Sequence, residues 1–228
     1  LLNAIYDAVE QDKNCRLEIY TALSLTPPKP GADLEKRFLQ PFLERHFGTD
    51  FPSLRYAIAQ RGNSLPANIT VQEFYMQSGG LLNSAQAQRH YNSLNYTHVP
   101  RALAAKNINV LVQKVAREPG GTRLSLSCNP DISFDFLDEV QRLGKPRPML
   151  IAEVDPHLPW IGGTAAVAAD FFDIVLELPL PAPKLFAPPR QAVSDAEYAI
   201  GLRASALIKD GGTLQIGIGS LSDALCHA

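Results

Sequence analysis

Residues 99 to 178 place the strongest constraint on the fold of this chain. Three near-continuous apolar runs, "INVLVQKVA", "PMLIAEV" and "FFDIVLEL", lie there among segments of helical pattern. Runs without alternation read as strands covered on both faces, the habit of a parallel sheet. "PRALAAKN" reads as a helix before the first run, and "SFDFLDEVQRLG" as a helix closed by Gly144 before the second. "TRLSLSC" adds another strand. Strands interleaved with helices predict an α/β fold, an open and mostly parallel sheet with helices on both faces.

The same rhythm opens the chain. Leu2, Ile5, Tyr6 and Val9 recur at helical spacing, and "CRLEIYTAL" follows as a strand. "ADLEKRFLQPFLERHF" offers Asp33 as an N-cap, with Pro41 dividing it into two short helices. "SLRYAIAQ" reads as a strand and "SAQAQRHY" as a turn or two of helix. The opening "LLNAIYDAVEQDKN" has no basic segment leading into a long apolar core, so it is not a signal peptide. It reads as a helix joined in mid-fold, with residues expected upstream.

"LPLPAPKLFAPPR" places five prolines between Leu178 and Arg190. Proline removes amide donors and fixes φ, so the stretch builds neither a sheet centre nor a helix. It reads as a linker over 179–190, or else as a long surface loop within one domain. Beyond it, "VSDAEYAIGLRASALIKDGG" is a helix with a Ser194/Glu197 capping box, a staple from Val193 to Tyr198 and Gly211 at its end. Ala196, Ile200, Ala204 and Leu207 share one of its faces. "LQIGI" then reads as a buried strand, followed by a glycine loop and a new helix. The division expected is a first α/β domain over 1–178, the linker, and the truncated beginning of a second similar domain over 191–228.

Composition closes several functional classes. The net charge of -2 comes with no cluster of Lys and Arg, so there is no footprint for nucleic acid. No apolar run reaches the roughly 18 residues a membrane span needs. Three widely spaced cysteines form no CxxC pair and fit a reducing cytosol. The histidines never fall at metal-ligand spacing, so a metal site has no sequence support.

Ligands of open α/β sheets bind outside the carboxyl ends of strands, and three such ends carry polar residues. Asn129 and Asp131 lie in "SCNPDI", as cleft residues or as caps for the next helix. Glu153 and Asp155 close the apolar strand of "IAEVDPHLPWIGG"; burial demands that they be paired, hydrogen-bonded or shifted in pKa. Such carboxylates are either catalytic or structural. Gly217 and Gly219 in "LQIGIGSLSDAL" allow a backbone to approach a ligand beside a helix N-terminus, or simply make a tight turn. His98, in "NYTHVP", is a further cleft candidate whose alternative is a structural hydrogen bond. No Ser-His-Asp set and no GxSxG elbow is identifiable.

Taken in order, these segments resemble the acetyl-CoA hydrolase/transferase family, which contains acetate and 4-hydroxybutyrate CoA-transferases. "NYTHVPRAL" is similar to the family's Tyr-x-x-x-Pro-x-x-Leu stretch. "LIAEVDPHLPWIGG" is similar to its "IAEVN…MP…G" segment, and "ASALIKDGGTLQIGIGSLSDAL" to its "LI-DGATLQ-GIG--PDA" string. The likeness covers residues 95 to 228 well and the first 95 loosely.

The resemblance implies two related α/β domains facing a cleft, acyl-CoA and a small carboxylate as substrates, and no tightly bound cofactor. It also implies a cytoplasmic homodimer. A glutamate of the second domain attacks the thioester in that family, and a glutamyl-CoA intermediate follows. That glutamate lies a few tens of residues beyond "GIG", so no residue here takes its role, and residues 1–228 alone are expected to be inactive. Gln215, Gly217, Ile218, Gly219, Ser220 and Leu221 inherit CoA binding by resemblance. The chain also departs from the pattern. "AREPGGTRLSLSC" stands where many relatives carry "SP-DEHG" before "SLG", with Ser127 at the last glycine position and Asp155 replacing an asparagine.

Overall fold

A computed structural model describes residues 1–228 except Asn129. Near the start, α1 (Leu2–Gln11) turns Tyr6 and Val9 inward against Tyr56, Ala57, Ile69 and Val71. β1 (Leu17–Thr21) pairs in parallel with β2 (Ile69–Glu73), Leu17 opposite Ile69 and Thr21 opposite Glu73. The Asn68 amide ties the two ends together. It donates to the carbonyls of Val9, Asp12 and Cys15 at 2.9, 3.2 and 2.9 Å, bridging the last turn of α1 and the turn that follows it.

Two local expectations are corrected here. Asp33 is the first residue of α2 (Asp33–His46) rather than its cap, which is Ala32, and the helix runs through Pro41 unbroken. Arg37, whose carbonyl loses its partner at Pro41, lies in an exposed stretch where water can serve as donor. "SLRYAIAQ" forms α3 (Arg55–Arg61), not a strand. Leu54, Tyr56 and Ile58 mimic alternation, but Tyr56, Ala57 and Gln60 are the buried set, and their spacing is helical.

Next come α4 (Ala85–His90), capped by Ser84, and α5 (Val99–Ala105). The main sheet follows, built from β3 (Val110–Arg117), β4 (Leu124–Ser125), β5 (Met149–Val154), β6 (Ala166–Val167) and β7 (Ile174–Glu177). Its order is β6-β4-β3-β5-β7. The long pairs β3–β5 and β5–β7 are parallel; the two-residue strands β4 and β6 join antiparallel, so the sheet is mixed.

One face of this sheet packs Val115, Leu124, Leu126, Leu150, Ala152, Val154 and Phe172 into a core. α5 and α6 (Ser133–Arg142) add Ala104, Phe136 and Val140. Gly144, at φ +63, stops α6 as its position implies. By register, Lys114, Glu153 and Leu176 lie on the opposite face.

Residues 179–190 form no helix or strand. α7 (Asp195–Ser205) begins with the full Ser194–Glu197 capping box and ends at Ser205, before Gly211. The expected strand at "LQIGI" is absent. Residues 213–217 take no regular structure, and Leu214, Ile216 and Ile218 are exposed, Ile218 at 97%. A strand needs a neighbour to complete its ladder, and no described strand pairs with this segment.

α8 (Ser220–His227) packs on α7 where Gly201 meets Ala224. A Cβ on Gly201 would lie 3.0 Å from the Ala224 carbonyl carbon and oxygen. Gly201→Ala is therefore expected to be near neutral, since about 1 kcal/mol of helix propensity offsets the crowding. Gly201→Leu should separate the helices, read as lost helicity in circular dichroism.

Glu73 ends β2 in a buried position. Ser24 Oγ donates to it, and Tyr56 Oη lies 3.0 Å from Ser24 Oγ. Burial pushes the Glu73 carboxyl above its ordinary value of 4.5, with the Ser24 bonds and the charge of Arg61 opposing. A raised carboxyl contributes full stability below the unfolded value and loses it as pH rises through the folded value. The contribution of Glu73 should thus fade as pH rises above about 4.5. Glu73→Gln should flatten that slope and gain roughly 1–3 kcal/mol at neutral pH in denaturant titrations.

Candidate functional site

The carboxyl ends of β3 and β5 gather charge. Lys114 and Glu153 are direct partners in the parallel register, with Nζ 3.6 Å from Glu153 Oε1. The same ammonium lies 2.6 Å from Asp155 Oδ2. The Asp155 side chain is fully buried, whereas Lys114 remains 41% exposed.

Burial alone would push the Asp155 carboxyl up. The Lys114 hydrogen bond, the His157 amide at 3.0 Å and the charges of Lys114 and His157 outweigh it and hold the group below its usual range. His157 Nδ1 stands 3.4 Å from Asp155 Oδ1. Glu153 and Asp155 therefore meet the requirement for partners, and Lys114 is the residue that sequence reasoning missed. Its signal was available: a single cation inside "VLVQKVA".

A second group surrounds the end of β4. Ser125 Oγ donates to the Ile161 carbonyl at 2.6 Å and Ser127 Oγ to Pro159 at 2.7 Å, fixing the loop after Asp155. Ser127 sits at φ +59, the left-handed region that favours glycine. Asp131, also left-handed at φ +42, hydrogen-bonds Tyr96. Burial, that bond and the charges of Asp131 and Asp135 push the Tyr96 hydroxyl up to about 12. His98 is exposed at the end of the same short turn. Asn129 lies outside the described residues.

The stretch "AREPGGTRLSLSC" folds as the β3–β4 hairpin. Glu118 N–H donates to the Arg123 carbonyl at 3.0 Å, and Gly120 takes φ +68. A Cβ on Gly121 would meet the Glu118 side chain, which would have to swing aside.

The glycine loop is a separate group. Gln215, Gly217 and Ile218 are exposed, and nothing lies within 4 Å of a Cβ placed on Gly219, whose φ is +150. Ser220 donates to Glu197, tying the start of α8 to the start of α7, and Leu221 is exposed. Neither glycine is sealed inside packed side chains. Among the described residues, no hydrogen bond or ion pair joins 214–221 to the Lys114 cluster.

No family model matches the chain. A curated relative does, the 4-hydroxybutyrate coenzyme A transferase of Clostridium kluyveri. It is 34% identical over 98 residues, 43% of this chain and 21% of that protein. The chain resembles the CoA-transferases. In fold it is similar to RipA from Yersinia pestis, with a TM-score of 0.56 and 19% identity, over 97% of this chain and 52% of that one. A 4-hydroxybutyrate CoA-transferase structure from Porphyromonas gingivalis covers 97% of this chain and 49% of its own at 21% identity, with a TM-score of 0.48. The chain thus spans about half the length of these solved proteins and matches a fifth of the curated one. The RipA likeness establishes the α/β fold alone. Among the described residues, no helix is long and apolar enough to cross a membrane.

Lys114→Met removes the counter-charge from a buried carboxylate. It should cost about 1–3 kcal/mol, reduced because the lysine is half in water, with midpoints measured in denaturant. A depressed carboxyl contributes stability above its unfolded value, and loses it as pH falls through the folded one. The deficit of Lys114→Met should accordingly shrink below about pH 4, where the unfolded aspartate is protonated.

Proposed function

We propose that the protein is an acyl-CoA:carboxylate CoA-transferase of the acetate or 4-hydroxybutyrate type. The identity of 34% over 98 residues to a 4-hydroxybutyrate CoA-transferase carries this reading. A glutamate supplied from outside residues 1–228 attacks the acyl-CoA thioester, forming an acyl anhydride and releasing CoA thiolate. The thiolate then attacks the glutamyl carbonyl, which frees the carboxylate product and leaves a glutamyl-CoA thioester. An incoming carboxylate reverses both exchanges and departs as its own CoA ester.

Residues of this chain bind and polarise in this scheme. Gln215 and the loop from Gly217 through Ile218, Gly219, Ser220 and Leu221 receive CoA. The first amides of α8 have no partner within their own helix, and so suit an anion or a developing oxyanion. Glu153, Asp155, His98 and Asp131 line the carboxylate side of the cleft. The exposure of Gly217 and the free space around Gly219 support this reading. We place the enzyme in the cytoplasm as a homodimer.

The test is acyl-CoA turnover by the complete enzyme, with and without a small carboxylate, monitored by free thiol and by the new CoA ester. A transferase forms the new ester only with acceptor and releases little free CoA without it. Free CoA released at the same rate without acceptor would identify a hydrolase instead. Gly219→Val should raise KM for acyl-CoA at least tenfold, because a branched residue cannot easily adopt φ +150.

A further inference from the structure

The proline-rich segment is anchored, and its anchor is the end of α2. A helix leaves its last carbonyls without intrahelical donors. The amides of Phe47 and Gly48 both return to Leu43, so the carbonyls that follow need donors from elsewhere. Two come from the segment far downstream. Lys184 Nζ donates to the Arg45 carbonyl at 2.6 Å, and the Ala187 amide to the His46 carbonyl at 3.2 Å. The exchange is reciprocal, since His46 Nδ1 stands 2.8 Å from the Ala187 carbonyl. The lysine charge also suits the negative end of the helix dipole.

Packing reinforces the polar contacts. Phe186 lies over Phe47 with ring centroids 4.7 Å apart, and Phe47, almost fully buried, meets Phe51 edge-on at 5.1 Å. Gly48, at φ +83, lets the segment pass close by. A Cβ there would lie 3.3 Å from Lys184 Cβ. Ala182, just upstream, is buried as well. By contrast, residues 188–192 are exposed up to the cap of α7.

We infer that residues 182–187 are a clasp that docks the connector onto α2, leaving only 188–193 as the tether to α7 and α8. A connector free from 179 to 193 would reach about 50 Å, whereas 188–193 reaches about 20 Å. The glycine loop is then presented to the first α/β unit from a fixed anchor within a small radius, which raises its effective concentration there. Any opening or closing of the cleft pivots on the six residues after Ala187. Lys184 and Phe186 are positioning residues in this scheme. The inference rests on the reading of 191–228 as the start of a second unit.

The experiment measures the distance between spin labels on Cys15 and Cys226, both exposed, in the intact chain carrying Cys128→Ser. The clasp predicts a narrow distance distribution, confined within the reach of about 20 Å that residues 188–193 allow. The double variant Lys184→Ala/Phe186→Ala should at least double its width while far-ultraviolet circular dichroism stays unchanged. Lys184→Arg, which keeps a donor for the Arg45 carbonyl, should retain the narrow distribution. A broad distribution already present without the variants would overturn the clasp and leave the two-unit reading standing. A narrow distribution in both proteins would overturn the clasp too, and with it the separation of 191–228 as a unit.

Discussion

Placing a carboxylate at the end of a buried strand creates a demand that the rest of the structure must answer. Asp155 follows an apolar strand and is itself buried. An isolated charge there would cost several kcal/mol. Lys114 answers from the neighbouring strand, but only because β3 and β5 run parallel in a register that sets residue 114 opposite 153. A one-residue slip would send the lysine to the other face, into the core of Val115, Leu150 and Ala152. The ion pair and the hydrophobic core therefore specify one register between them. The same pairing closes the strand, since the Asp155 amide donates to the Val115 carbonyl at 2.9 Å and Asp155 Oδ1 accepts from His157. The loop that leaves β5 is thus shaped by the group that needed neutralising.

The sequence was legible where local chemistry is sufficient. The capping box of α7, the glycine stop of α6 and the apolar runs of β3, β5 and β7 depend on near neighbours, and each is present. It was less legible where tertiary context decides. Residues 54–58 alternate like a strand, yet the pocket between α1 and β2 accepts Tyr56, Ala57 and Gln60 at helical spacing. "LQIGI" has every local property of a strand, but a strand is a relation between two segments, and no described segment pairs with it. The clasp of 182–187 on α2 was invisible for the same reason, because composition shows only that prolines prevent regular structure.

The candidate site divides likewise. Glu153 and Asp155 stand out in sequence because charge is improbable in an apolar run, and the argument that they need partners holds without knowing which ones. Naming Lys114 requires the register. Tyr96 and Asp131 lie far apart in sequence and meet only because α5 packs on α6. The glycine loop lies apart from all of them among the described contacts. A cleft between the two groups is accordingly a matter of how the units after Ala187 are arranged.

Departures from the family pattern acquire physical content in this light. The stretch that the resemblance singled out, residues 116–128, makes a hairpin in which Glu118 bonds the turn backbone. Arg117 pairs with Glu177 of β7, so it too is engaged. The hairpin leaves Ser127 in the glycine position at φ +59, a conformation that costs an L residue roughly 1–2 kcal/mol. The Ser127 hydroxyl offsets part of that cost through its bond to Pro159, and so holds the Asp155–Ile161 loop against β4. Strain and anchor come from one residue. One hydroxyl thus couples the end of β4 to the loop that Asp155 begins. The Asp155 carboxylate at the start of that loop is itself paired with Lys114, whose side chain stays partly exposed.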